Sequence, residues 1–143
     1  MIFEVLGLPQ PQGSARAFVN PRTGRPIITS DNKNLKPWRQ DVREVAHLCW
    51  GGRPAHAGAI WLGLLFRFPR PASHFGAHGL RPSAPASMTV RPDLDKLVRA
   101  VQDALRDAGV YRDDAQVTFL DQCFKRYCLE GEAPGVLIEI RPA

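Results

Sequence analysis

The sequence predicts a single α+β domain in which a mixed β-sheet packs against two main helices, in the order β-α-β-α-β-β. Three observations support this prediction: two segments carry apolar residues at helical spacing, four carry strand-like apolar patterns, and 143 residues is the length of one domain. The apolar fraction of 44% and the charged fraction of 23% exclude a disordered or fibrous chain. No internal repeat divides the sequence, so we expect one domain over residues 1–143.

The first part of the chain contributes a strand, a helix and a second strand. Residues 2–8 form a short apolar strand, and residues 9–34, rich in Pro, Gly, Ser and Asn, predict a loop. The apolar stripe of residues 35–50 predicts an amphipathic helix. The nearly continuous apolar run 59–68 predicts a well-buried strand.

The second part contributes a helix and two further strands. Residues 69–92 make up a long segment that is basic and rich in proline, and we expect this segment to form a loop. Residues 93–108 have the clearest helical pattern of the chain, with Asp93 at the N-cap position. Residues 115–129 predict a strand, either regular or bulged, and residues 136–140 predict a last strand that forms a hairpin with it.

Charge is unevenly distributed. Residues 1–92 hold 12 basic and 4 acidic side chains, a net +8, whereas residues 93–143 hold 7 basic and 10 acidic side chains, a net −3. Excess Lys and Arg favours a polyanionic partner such as nucleic acid, because these side chains neutralise phosphates. The acidic part needs a separate explanation, since seven aspartates fall between residues 93 and 121.

The sequence indicates a cytoplasmic protein. Its N-terminus lacks the basic and apolar regions of a signal peptide, and no segment approaches the about 20 apolar residues of a membrane helix. Cys49, Cys123 and Cys128 have no metal-type spacing, and we expect them to be reduced structural residues. We expect no membrane partner and no organic cofactor.

Two pairs of aspartates are the candidates for chemistry. Asp93 and Asp95 lie at the start of the second helix, and Asp113 and Asp114 precede the following strand. Carboxylates that meet repel one another; a divalent cation such as Mg²⁺ removes this repulsion and supports phosphodiester hydrolysis. Alternatively, these residues are only a helix N-cap and a turn. Either one chain or two copies of it could supply the carboxylates.

Three strings in this region resemble the RusA family of Holliday junction resolvases: residues 91–97 (RPDLDKL), 103–105 (DAL) and 111–117 (YRDDAQV). That family carries Asp-x-Asp at a helix start and, further along, Asp-Asp before a strand that continues to a lysine. Residues 8–11 (LPQP) and the predicted order of elements also match. The resemblance thus spans nearly the whole chain.

The resemblance implies a homodimeric, Mg²⁺-dependent endodeoxyribonuclease, with Mn²⁺ as a substitute, that resolves four-way DNA junctions by paired hydrolysis. By position, Asp93, Asp95 and Asp114 match the catalytic, metal-binding carboxylates, and Asp113 is their neighbour at the metal. A bacterial, phage or prophage origin fits the family.

Basic side chains complete the expected site. Arg99 stands where the best-known members have a catalytic Lys, and Lys96 where they have Asn. We expect Arg99, Lys96 or Lys125 to offset charge on the phosphate during cleavage. Contacts to the DNA backbone are expected from Arg16, Arg25, Lys33, Arg67, Arg70, Arg81, Arg91 and Lys96.

Two other functions are alternatives. A non-catalytic nucleic-acid-binding module needs only the basic part of the chain, with the aspartates as caps and turns. A small ribonuclease or toxin-like nuclease is the third. Cleavage that is lost in EDTA while DNA binding persists favours the resolvase, and a preference for RNA favours the ribonuclease.

Overall fold

The computed structural model describes residues 1–13, 15–30 and 32–143, without the side chains at positions 15, 16, 18 and 28–30. In chain order the elements are β1 (Ile2–Leu6), β2 (Ala15–Val19), β3 (Pro26–Ser30), α1 (Leu35–Trp50), β4 (Ile60–Phe68), β5 (Phe75–Gly76), β6 (Gly79–Leu80), α2 (Leu94–Asp107), β7 (Val117–Leu120), β8 (Phe124–Tyr127) and β9 (Gly135–Pro142). Short 3₁₀ turns form at Ala72–His74 and Asp114–Gln116.

Strand β4 lies at the centre of the main sheet. On one side it pairs with β9, which carries β1 on its far side; both pairings are antiparallel. On the other side, β7 pairs with the first half of β4 and β8 with the second half, both parallel. The sheet is therefore mixed, and together with the two helices it confirms the predicted α+β class.

The core lies between this sheet and the two helices. β4 contributes Leu64 and Phe66, α1 contributes Val42, and α2 contributes Leu97 and Val101, all at most 1% exposed. Burying one such side chain stabilises the fold by about 1.5–3 kcal/mol relative to leaving it in water. This packing fixes α2 on the sheet and thereby fixes the positions of the aspartates at its ends.

Both predicted helices are confirmed. α1 has the predicted bounds, and Gly51 ends it in the left-handed conformation, with φ 66°, which glycine adopts without strain. α2 spans Leu94–Asp107, with Asp93 as its N-cap, one residue shorter at each end than predicted. None of the described helices is long and apolar enough to cross a lipid bilayer.

Two segments predicted as loops contain short hairpins. Within residues 9–34, β2 and β3 pair antiparallel, apart from the main sheet. Within residues 69–92, β5 and β6 pair antiparallel after the first 3₁₀ turn. Proline is compatible with such ladders at their ends, and Pro26 is the first residue of β3.

The strand predicted over 115–129 is present with an interruption, whereas its predicted hairpin with the last strand is wrong. The chain divides into β7 and β8 near Gln122, whose φ is 51°, and the Asp121 amide donates to the Leu62 carbonyl at 3.1 Å between the two pairings. β4 lies between β8 and β9 and separates them. Because β7 and β8 run parallel to β4, the connection from β4 must cross the sheet, and α2 provides that crossover.

Candidate active site

Asp93 is an N-cap residue whose side chain does not cap the helix. Its backbone is extended, with φ −71° and ψ 138°, but its carboxylate makes no hydrogen bond to the first-turn amides. An N-cap aspartate normally accepts such a bond. The Asp93 side chain is 54% exposed, and the Lys96 ammonium lies 3.7 Å from its Oδ2. Asp95, also exposed, follows in the first turn. Both carboxylates are therefore open to another partner.

Asp113 has a structural role in the turn after α2. Its Oδ1 accepts a hydrogen bond from the Ala115 amide at 2.8 Å. The Gln116 side chain reciprocates, because its Oε1 accepts from the amides of Arg112 and Asp113 while its Nε2 donates to the His56 carbonyl at 2.8 Å. These contacts form a capping box and fasten the turn to the chain just before β4.

Asp114 contacts the last turn of α2. Its Oδ2 lies 3.1 Å from Nη1 of Arg106, whereas its Oδ1 is buried and has no hydrogen-bond partner among the described residues. Burial raises the pKa of this carboxyl; Arg106 opposes the rise, and Asp103 and Asp113 add to it. The buried Tyr111 hydroxyl donates to the Gln102 carbonyl at 2.8 Å and holds the returning chain against α2. Asp114 thus has one carboxylate oxygen that makes no hydrogen bond among the described residues.

The two pairs of aspartates lie at opposite ends of α2 within one chain. Asp93 precedes the first turn, and Asp114 contacts Arg106 in the last turn. At 1.5 Å per residue, the backbone positions of Asp93 and Arg106 are about 20 Å apart along the axis. The described residues contain no group of three or more His, Cys, Asp or Glu side chains that could hold a metal ion. One chain therefore does not bring the four predicted carboxylates together.

A stripe of polar side chains on α2 connects these two ends. Asp95, Arg99, Gln102 and Arg106 follow one another at three- and four-residue steps, which places them on one face of the helix. Asp95 and Arg99 are exposed, and Gln102 and Arg106 are partly exposed. A second molecule lying along this stripe would contact both aspartate pairs.

The Lys125 ammonium binds backbone rather than an acidic side chain. Its Nζ donates to the carbonyl of Val90 and to the carbonyl of Pro92, each at 2.6 Å. Pro92 directly precedes Asp93, and the peptide bond between Arg91 and Pro92 is cis. Lys125 therefore lies at the predicted site, in contact with the segment that leads into α2.

A groove of about 640 Å³ opens beside Asp93. Arg91 and Lys96 line it together with Asp93, and the Pro-rich residues 8–13 form its opposite wall. The Gln12 amide donates to the Lys96 carbonyl at 2.9 Å and joins this wall to the first turn of α2. Two of the predicted DNA-binding side chains thus flank the candidate carboxylate.

Arg67 does not fit its predicted role in DNA binding. It is 8% exposed in the central strand and forms ion pairs with Glu4 and Glu132. The Glu132 carboxylate also pairs with Arg126, and these contacts hold the pKa of Glu132 down at about 2. Arg67 is thus part of a charged network that ties β1, β4 and the turn before β9 together.

The other predicted DNA-binding residues are spread over the surface. Arg25 and Lys33 are exposed, and the side chain of Arg16 lies outside the described residues. Arg81 is exposed, although its Nε donates to the Phe75 carbonyl at 2.9 Å. Arg70 is partly buried, with its guanidinium over the Tyr127 ring and a hydrogen bond to the Pro85 carbonyl.

The sequence does not predict two contacts of the site. The pairing of Arg106 with Asp114 depends on a turn that brings the chain back to α2. The spacing of apolar residues does not predict such a turn. The contacts of Lys125 are to backbone carbonyls 33 and 35 residues away, and backbone carbonyls carry no sequence signal. Asp93 was anticipated, because Pro-Asp before an apolar stripe is a recognisable helix start.

Comparison with protein families gives a match that covers nearly the whole chain. The family model described as endodeoxyribonuclease RusA matches residues 9–141 of the 143-residue chain. It includes both pairs of aspartates, the groove residues Arg91 and Lys96, and Lys125. Comparison with individual curated proteins gives no match.

Proposed function

Because the chain belongs to the RusA family of endodeoxyribonucleases, we propose that it resolves four-way DNA junctions by metal-dependent, paired hydrolysis, acting as a homodimer. The family implies the Holliday junction resolvase activity; the metal, the paired cuts and the dimer are the proposed refinements. The observation that carries the proposal is the Asp93 carboxylate, which stands at a helix start without capping it. A purely structural N-cap would use that carboxylate on the helix amides.

We propose that the metal site is shared between two copies of the chain. One copy would contribute Asp93 and Asp95 from the start of α2, and the other would contribute Asp114 from beside the end of its α2. The polar stripe on α2 supports this arrangement, since two helices lying antiparallel along it bring the start of one to the end of the other. Two-fold symmetry then produces two identical sites, as paired cuts on opposite strands require.

The donor set fits a hard divalent cation. Mg²⁺ prefers oxygen ligands, keeps several waters and commonly binds through a few carboxylates plus substrate phosphate. The buried, unpartnered Oδ1 of Asp114 is an oxygen for which a cation would be a favourable partner. When bound, Mg²⁺ or Mn²⁺ supplies a Lewis acid that polarises the phosphate and lowers the pKa of a water molecule. Asp113 supports Asp114 by fixing the turn.

The remaining residues bind and orient the DNA. Arg91 and Lys96 in the groove beside Asp93 can hold the strand that is cut, and Arg99 on the polar stripe can offset charge on its phosphate. Exposed Arg25, Lys33 and Arg81 extend the positive surface. Such contacts position DNA without reading its sequence.

The test compares cleavage of a four-way junction with cleavage of a linear duplex of the same sequence. We expect symmetric nicks in the junction with Mg²⁺ or Mn²⁺, and no cleavage in EDTA. Asp93→Asn should abolish cleavage, because it removes a proposed metal ligand. It should preserve junction binding, because it removes a negative charge near the phosphates. Asp41→Asn, which changes an exposed carboxylate on α1, is the matched control.

Three results would contradict the proposal. They are cleavage that persists in EDTA, cleavage by Asp93→Asn at the wild-type rate, and equal cleavage of duplex and junction. Binding without cleavage under any divalent ion would favour the non-catalytic module.

A further inference from the structure

We propose that Lys125 is a positioning residue that fixes the chain entering Asp93, and that its ammonium does not contact the DNA phosphate. This inference rests on the proposed function, because it assigns Asp93 a role at the metal. It replaces the role expected for Lys125 from the sequence, which is to offset charge on the phosphate, with a structural role at the entry to α2.

The geometry at the Lys125 ammonium is that of a clamp. Nζ donates to the Val90 carbonyl and to the Pro92 carbonyl, both at 2.6 Å, so that one ammonium bridges two backbone oxygens. An ammonium has three donors, and two of them are used within the protein. The same cation thus holds the residue before Asp93 and a second residue two positions earlier.

Lys125 is itself held firmly. It lies on β8, directly beside Phe66 of β4 in the parallel register. Phe66 is fully buried, and Lys125 is partly buried. The clamp therefore connects the central strand of the sheet to the entry of α2.

The segment that Lys125 holds has few other attachments. Val90 is 56% exposed, and residues 89–92 lie outside any helix or strand. The Asp93 carboxylate makes no capping bond that would orient it from the helix side. Two carbonyl oxygens that converge on one point also repel each other when no cation lies between them. Without Lys125, the backbone at Pro92 would move away from its present course and take the Asp93 carboxylate with it.

A phosphate contact would have only one N–H of the Lys125 ammonium to use. The two carbonyl contacts engage the other two donors and fix the position of Nζ against the segment before Asp93. Arg91, Lys96 and Arg99 are exposed or line the groove, and they are better placed to meet a phosphate. The positioning role therefore accounts for all the observed contacts of Lys125.

The experiment compares Lys125→Met with Lys36→Met, which removes one exposed lysine of α1 and serves as the charge-matched control. We expect Lys125→Met to lower the single-turnover cleavage rate at least tenfold and to raise the Mg²⁺ concentration for half-maximal rate several-fold. Junction affinity and its salt dependence should stay within twofold of those of Lys36→Met. Lys125→Arg, which still offers two N–H donors, should recover much of the rate.

Hydrogen exchange provides a readout that is independent of activity. The amides of Leu97 and Val98 are the first in α2 with backbone acceptors, and the Leu97 amide donates to the Asp93 carbonyl at 3.2 Å. These two amides should exchange faster in Lys125→Met than in Lys36→Met, without DNA or metal. If Lys125→Met does not fold, the same exchange measurement on Lys125→Arg, with its altered donor geometry, should still show faster exchange than in the wild type.

The proposal is overturned if Lys125→Met weakens junction binding and reduces the salt slope by about one, which indicates a phosphate contact. It is also overturned if amide exchange at Leu97 and Val98 is unchanged. A wild-type protein that cuts no junction would instead contradict the proposed function. The exchange result would in that case still decide the role of Lys125.

Discussion

The guanidinium of Arg106 lies 3.1 Å from one carboxylate oxygen of Asp114 and leaves the other oxygen buried without a partner among the described residues. This pairing explains how a partly buried aspartate is tolerated in an acidic region: Arg106 favours its charged form, whereas partial burial and nearby carboxylates oppose it. The same pairing keeps Asp114 at the far end of α2 from Asp93.

Removing Arg106 should shift the pH dependence of cleavage. The pKa of Asp114 is already raised by burial, and Arg106 limits the rise. In Arg106→Gln that pKa increases further, so the carboxylate becomes protonated at a higher pH and binds metal less well there. We expect the acidic limb of the single-turnover profile to move to higher pH. Arg43→Gln, an exposed arginine on α1, should leave the limb in place; an unmoved limb in Arg106→Gln would show that Asp114 does not control the rate.

Asp113 and Asp114 should differ in what they contribute. Asp113→Ala removes the cap of the 3₁₀ turn and should cost about 1 kcal/mol of stability in thermal or urea unfolding. It should largely preserve Mn²⁺ binding measured by calorimetry. Asp114→Asn should abolish metal-supported cleavage. Equal loss of Mn²⁺ binding in both variants would mean that both carboxylates are metal ligands.

Substitution of Arg67 should affect the stability of the protein, whereas substitution of Arg91 should affect DNA binding. Arg67→Met removes the ion pairs of a buried guanidinium with Glu4 and Glu132 and should lower the free energy of unfolding by about 1–2 kcal/mol, since Glu4 is partly exposed and Glu132 keeps its pair with Arg126. It should leave the salt slope of junction binding unchanged. Arg91→Gln should leave the unfolding free energy unchanged and reduce that slope by about one. If Arg67→Met instead reduced the salt slope and left the free energy of unfolding unchanged, Arg67 would be a DNA-binding residue.

The sequence predicts the helices far better than the pairing of the strands. The apolar stripe of α1 and the Pro-Asp start of α2 are local signals, and both helices match the structure closely. The division into β7 and β8 and their parallel pairing with β4 depend on neighbours distant in the sequence. Two successive strands such as β8 and β9 commonly form a hairpin, but here β4 lies between them and pairs with both.

Residue identity predicted the candidate site only in part. Asp93 and Asp114 were identified by type and spacing, but their separation along α2 follows from the turn that Tyr111 and Gln116 hold in place. The sequence does not show the ion pairs of Arg67, because an arginine in an apolar strand gives no sign of whether it meets solvent or carboxylates of neighbouring strands and turns. These outcomes depend on tertiary contacts and not on local pattern.

The most direct test of the shared metal site mixes two inactive variants, Asp93→Asn and Asp114→Asn. If each site takes Asp93 from one chain and Asp114 from its partner, a mixed dimer has one doubly impaired site and one intact site. We expect the mixture, after subunit exchange, to nick one strand of a four-way junction although each variant alone is inactive. A mixture of Asp93→Asn with Asp95→Asn should stay inactive, since each site keeps one defect. Failure of the first mixture to nick, with subunit exchange demonstrated, would contradict the shared site.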